Sequence, residues 1–213
     1  IHDVSGYGKC ALTVAMPVIS AAGVEVCPLP TAPLSTNTLF DHFTFFDYTP
    51  YMEAHINHWQ ALGLTFDCVY SGFLGSEQQI GYVQRLIKDF DSGISVIDPV
   101  MGDNGLVIKT YNDAMCCTMG ELVAMADYAT PNVTEACILT GRSYCADTLS
   151  PEESRAICEE LVAKGTKNIV LTGVQRGDTL YNCGIEQGQG YFELPIHPLP
   201  YHMHGTGDLF TST

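Results

Sequence analysis

The sequence predicts an α/β fold, a central and mostly parallel sheet with helices on both faces. Two observations carry this. Short apolar, β-rich runs alternate with helix-like stretches along the chain, and glycine and polar residues gather where the strands end. In an open sheet of that kind, ligands sit beyond the carboxyl ends of the strands.

The elements follow in order. The opening HDVSGYGK reads as the end of a strand and its following loop, and 9–22 as a helix. Strands are expected at VEVCPLP (24–30), FDCVYSG (66–72), ISVIDPV (94–100), DYATPN (127–132) and NIVLTG (168–173). Helices are expected at 50–62, 76–90, 111–126, 132–140 and 151–164. The last has a clear start, with Ser150 as cap, Pro151 at the first position and Glu153 three residues after the cap. The stretch 179–195 changes character and reads as a hairpin around Gly188 and Gly190. No repeat or linker interrupts the pattern, so 1–213 reads as one domain. Both ends read as trimmed.

Bulk properties narrow the function. A net charge of −15 with only nine scattered Lys and Arg residues argues against nucleic-acid and anionic-membrane partners. No apolar run reaches the roughly 18 residues a membrane span needs, and the start lacks the pattern of a secretory signal. Nine cysteines is an odd number without a C-x-x-C pair. Cys27, Cys68 and Cys137 lie in apolar stretches and read as small buried hydrophobes, which fits reduced thiols in a cytoplasmic protein.

Four stretches carry possible chemistry. DPVMGDNG (98–105) sets Asp98 and Asp103 at a strand end, where they could orient Mg²⁺ or merely close a polar turn. TPNVTEA places Asn132 and Glu135 on the first turn of a helix, facing one way, as site residues or as a capping pair. Near the end, GTGD offers Gly205, Thr206 and Gly207 as a main-chain anion hole at a helix start. Asp208 then stands where an attacking hydroxyl would meet the transferred group. His202 and His204 precede these glycines and could shape the approach to the anion hole, touch substrate or bind metal. Arg176 either reaches a nucleotide or is a solvated loop residue.

Taken in this order, HDVSGYGK, DPVMGDNG, TPNVTEA and GTGD resemble the ribokinase-like superfamily of small-molecule kinases. Within it, PTAPLSTNT (30–38), YSGFLGS (70–76) and DPVMGD (98–103) resemble the pyridoxal kinases of vitamin B6 salvage. The family pattern continues past Thr213 with further helices. The resemblance implies an enzyme that phosphorylates the 5′-hydroxymethyl group of pyridoxal with ATP, pyridoxine and pyridoxamine being further candidates. It implies that Asp208 takes the hydroxyl proton and that Gly205, Thr206 and Gly207 hold phosphate. Asp98, Asp103 and Glu135 would surround Mg²⁺, with Asn132, Thr172 and Gly173 along the nucleotide. Asp3, Ser5, Thr38 and Phe73 would line the ring pocket, although Asp3 stands where many pyridoxal kinases have serine. The resemblance also implies a cytoplasmic homodimer and admits K⁺ as a second ion. Two alternatives stay open, a hydroxymethylpyrimidine kinase of thiamin synthesis and a vitamer- or nucleotide-binding protein without turnover.

Overall fold

A computed structural model describes residues 1–38, 40–90, 92–144, 149–197 and 203–213. The chain forms two compact units, Ile1–Gly93 with His202–Thr213, and Ile94–Tyr201.

In the first unit, strand β1 (His2–Ser5) runs parallel to β2 (Pro30–Leu34), with Val4 opposite Pro33 and Ser5 opposite Leu34. Helix α1 (Leu12–Ala21) packs on β1, and α2 (Thr49–Ala61) packs on β2. Strand β3 (Cys68–Ser71) leads into α3 (Glu77–Asp89), which packs against α2 and β3. Ser76 starts α3 by accepting the Gln79 amide at 3.2 Å, which satisfies a donor that the first helical turn leaves open. The strand expected at 24–30 lies later, at Pro30–Leu34. It contains Pro30 and Pro33, which a strand with few ladder partners tolerates because only some of its N–H groups are needed.

In the second unit, β4 (Ile94–Ile97), β7 (Tyr128–Ala129) and β8 (Asn168–Arg176) run parallel. Strands β9 (Thr179–Glu186) and β10 (Gly190–Ile196) extend the sheet antiparallel beyond β8. Between β4 and β7 lie a tiny hairpin, β5 (Gly102–Asp103) and β6 (Leu106–Val107), and helix α4 (Asp113–Ala124). Helix α5 (Val133–Thr140) and helix α6 (Pro151–Ala163) pack on β8, and α6 also meets β9. Ser150 and Glu153 form the expected capping box at the start of α6.

Strand β8 runs on to Arg176, three residues past its expected end. Gly173, at φ 72°, reads in the sequence as a stop, but it sits in a bulge between Leu171 and Val174, after which pairing to β9 resumes. Cysteine burial also departs from expectation. Cys137 is buried, whereas Cys27 precedes β2 on an exposed loop and Cys68 is exposed at the first position of β3. All eight described cysteines are free thiols. No described helix is long and apolar enough to cross a membrane.

Candidate functional site

The first unit assembles a carboxylate site around β1. The short helix α7 (Thr206–Thr211) starts at Gly205, whose φ of 72° is left-handed. A Cβ there would come 2.9 Å from the Lys9 carbonyl oxygen and 3.1 Å from Val14, so glycine is the residue this close approach admits. That start holds Asp208 in the first turn of α7, half-buried, with Thr206 and Gly207 exposed. Asp208 accepts the Ala11 amide hydrogen on Oδ2 at 2.8 Å, and its Oδ1 lies 2.9 Å from His2 Nε2. Ala11 itself adopts φ 53° at the start of α1, a conformation that costs a non-glycine residue on the order of 1 kcal/mol. The strain is what aims its N–H at the carboxylate. Burial raises the Asp208 pKa, but hydrogen bonding and charge from His2, with the Ala11 amide, outweigh it, and the net shift is downward. Asp208 is therefore ionised at neutral pH.

Three of the four expected ring-pocket residues cluster near this carboxylate. Asp3 and Ser5 are buried and face one side of β1, with Ser5 Oγ donating to Asp3 Oδ2 at 3.0 Å. Phe73 is buried, and its amide donates to His2 Nδ1 at 3.3 Å. Thr38 is exposed on a loop that Asn37 ties to the Tyr7 carbonyl at 3.0 Å. A cavity of 620 Å³ opens beside Ser5, between Tyr7, Lys9, Phe40 and His204. Tyr7 and Phe40 meet edge to face across it, with ring centroids 5.7 Å apart. One aromatic pair and one lysine suit a flat ring bearing polar substituents. His202 lies outside the described residues.

The second unit gathers the other expected residues. Asp98 follows β4 and is buried. Glu135 is buried and accepts the amide hydrogens of Asn132 at 2.8 Å and Met101 at 3.2 Å. In return the Glu135 amide donates to Asn132 Oδ1 at 3.0 Å, completing a capping box, and Asn132 Nδ2 reaches the Gly102 carbonyl at 2.9 Å. The capping reading of this motif holds, and the same cap ties the 98–105 loop to α5 through Met101 and Gly102. Asp103 is exposed in the hairpin turn and accepts from the amide and side chain of Asn104. Asn132 also bridges to Thr172 in parallel register. Next to it, Gly173 is exposed, and a Cβ there would meet nothing within 4 Å. The bulge thus turns main chain toward open space beside Asn132.

Burial, then the negative charge of Asp98, raise the Glu135 pKa well above its ordinary value, against the pull of three amides. A divalent cation would relieve that repulsion. Among the described residues no three His, Cys, Asp or Glu side chains could hold a metal by themselves. Mg²⁺ commonly takes only one or two carboxylates, with waters and phosphate oxygens filling the rest, so the donor set fits this ion.

Arg176 does neither thing the sequence suggests. It contacts Glu193, Ser154 Oγ and the Leu149 carbonyl, because β8 carries it past the expected turn and over the β9–β10 hairpin. The sequence reading missed His2 and Ala11, whereas Gly72 stood in it as a glycine at the end of a strand. Of the two missed, only His2 left a signal, a histidine directly before Asp3 in the first glycine-rich motif.

A profile of the phosphomethylpyrimidine kinase family matches residues 30–213. A candidate phosphomethylpyrimidine kinase from Bacteroides thetaiotaomicron, crystallised with pyridoxal, is 39% identical with a TM-score of 0.93. The match covers 99% of this chain and 76% of that one. Pyridoxal kinase from Lactobacillus plantarum is 29% identical with a TM-score of 0.90, over 99% of this chain and 75% of that one. Pyridoxal kinase from Deinococcus radiodurans is 28% identical over 218 residues, 95% of this chain and 72% of the relative.

Proposed function

The chain belongs to the phosphomethylpyrimidine kinase family, with a ribokinase-like α/β fold, and from that premise we propose that it is a pyridoxal kinase, transferring the γ-phosphoryl group of ATP to the 5′-hydroxymethyl oxygen of pyridoxal. The observation that carries the reading is Asp208: a carboxylate held ionised and oriented by two donors, at a glycine-shaped helix start beside an aromatic-lined cavity.

In this reading Asp208 orients the substrate hydroxyl and accepts its proton as the new O–P bond forms and ADP leaves. A carboxylate is a weak base toward an alcohol, but a loose transition state asks for the proton late. Gly205, Thr206 and Gly207 face the phosphates with main-chain amides, and Asp3, Ser5, Thr38 and Phe73 line the ring pocket. Asn132, Thr172 and Gly173 border the nucleotide. Asp98, Asp103 and Glu135 would hold Mg²⁺, directly or through water, and the ion would neutralise charge on the phosphoryl oxygens. An acidic chain can therefore handle a triphosphate without a lysine cluster.

The reading treats 1–213 as one kinase domain. It further assigns a cytoplasmic homodimer and admits K⁺. Pyridoxal kinases among the relatives and the pyridoxal-bound neighbour favour pyridoxal over hydroxymethylpyrimidine.

The test is an ADP-release assay with pyridoxal, pyridoxine, pyridoxamine and hydroxymethylpyrimidine, on the wild type and on Asp208→Asn. Turnover should be highest with a B6 vitamer. The Asn variant should lose roughly 100-fold or more in kcat while keeping ATP affinity. Preference for hydroxymethylpyrimidine, or an Asn variant as fast as the wild type, would overturn the assignment.

A further inference from the structure

His2 faces the proposed base, and every side of its ring is used. Its side chain is 4% exposed. Nε2 faces Asp208 Oδ1 at 2.9 Å, and Nδ1 receives the amide hydrogens of Asp3 at 3.0 Å and Phe73 at 3.3 Å. The Asp3 carboxylate lies 3.1 Å from Nδ1. The amides favour a lone pair on Nδ1 and the carboxylate favours a proton there. In either state the hydrogen facing Asp208 sits on Nε2, because a neutral ring that accepts at Nδ1 must carry its hydrogen on the other nitrogen. Gly72 completes the enclosure: a Cβ there would fall 2.0 Å from Nε2 and 2.1 Å from Cδ2, so the ring occupies the space a side chain would need. The Tyr70 ring closes another side edge-on, with centroids 6.2 Å apart.

We infer that His2 is a positioning residue for this kinase, fixing the rotamer of Asp208 through Nε2–H. The inference rests on the reading of Asp208 as the base. The division of labour follows from geometry. Ala11 binds one carboxylate oxygen and His2 the other, so the carboxylate plane is fixed and each oxygen retains a lone pair for substrate. A carboxylate anchored by one donor alone would rotate about its Cβ–Cγ bond and lose the alignment that proton transfer needs. Among the described residues, the titratable groups that interact with Asp208 are His2 on β1 and the Cys10 thiol before α1, and Asp3 faces both of these partners. Of these only His2 brings positive charge. Burial lowers the His2 pKa, but the hydrogen bonds and charges of Asp208 and Asp3 raise it further, to about 9.

The test compares His2→Leu and His2→Gln with Asp208→Asn in the full chain. Leu removes the donor. Gln can place an amide N–H near the Nε2 position and a carbonyl toward the two backbone amides. His2→Leu should lower kcat roughly 10- to 100-fold with the KM for ATP unchanged, and should move the acid limb of the kcat profile to higher pH. His2→Gln should recover most of the rate. Independently of turnover, ¹⁵N NMR of the imidazole should show Nε2 protonated at pH 7, with a titration that drops in Asp208→Asn. Wild-type kcat and an unmoved acid limb in a folded His2→Leu, or a His2 titration indifferent to Asp208→Asn, would overturn the inference. If His2→Leu fails to fold, the Gln variant and the NMR titration decide. If Asp208→Asn itself retains full rate, the reading of the base fails instead, so the two failures are distinguishable.

Discussion

Arg176 grips Glu193 at two points, Nη1 to Oε2 at 2.8 Å and Nη2 to Oε1 at 2.9 Å, tying the last strand of the sheet to β8. The pair is partly buried, at 17% and 23% side-chain exposure. Its guanidinium lies 4.9 Å above the Tyr181 ring, and Tyr191 Oη donates to the same carboxylate. The geometry is that of a fastener for the β9–β10 hairpin.

Replacing Arg176 by Ala should therefore lower folding stability by about 2 kcal/mol, the scale of a hydrogen bond to a charged partner, with kcat unchanged. Urea titration and the ADP-release assay check the two halves. The pH dependence has a definite sign. Arg176 first, against burial, holds the Glu193 pKa below its ordinary 4.5. The stabilisation is thus complete above pH 4.5 and is lost as pH falls through the lower folded value. The stability gap between wild type and variant should shrink in that acid window.

Gly72→Ala tests the enclosure of His2 without touching the ring. The added methyl would overlap the imidazole, so either the ring leaves Asp208 or β3 shifts away. We expect a kcat loss of roughly 10- to 100-fold and a lower melting temperature. A stable variant with wild-type kcat would show that the ring has room to spare.

Gly173→Asn tests the bulge in β8. Asparagine tolerates the left-handed backbone better than other side chains, so strain stays small. Its side chain would enter the open space beside Asn132 and Thr172. The KM for ATP should rise while the KM for pyridoxal holds; an unchanged ATP KM would remove Gly173 from the nucleotide side.

Local chemistry made much of this architecture readable. Ser150, Pro151 and Glu153 announce α6 because a capping box acts within four residues of chain, and the β9–β10 turn is announced by Gly188 and Gly190. The candidate site residues were legible as clusters at strand ends for the same reason. What stayed hidden depends on partners far along the chain. Strand β2 exists because β1 pairs with it, despite two prolines. The length of β8 is set by β9, which resumes the ladder beyond a glycine that locally signals a break. His2 gained meaning only from a carboxylate 206 residues away, and the Ala11 conformation left no mark in its own neighbours.

That separation has a consequence for synthesis. The Asp208 carboxylate is synthesised some two hundred residues after the His2 imidazole that engages it. Their contact therefore forms only after the stretch between them has left the ribosome, and no shorter part of it can hold that carboxylate in place.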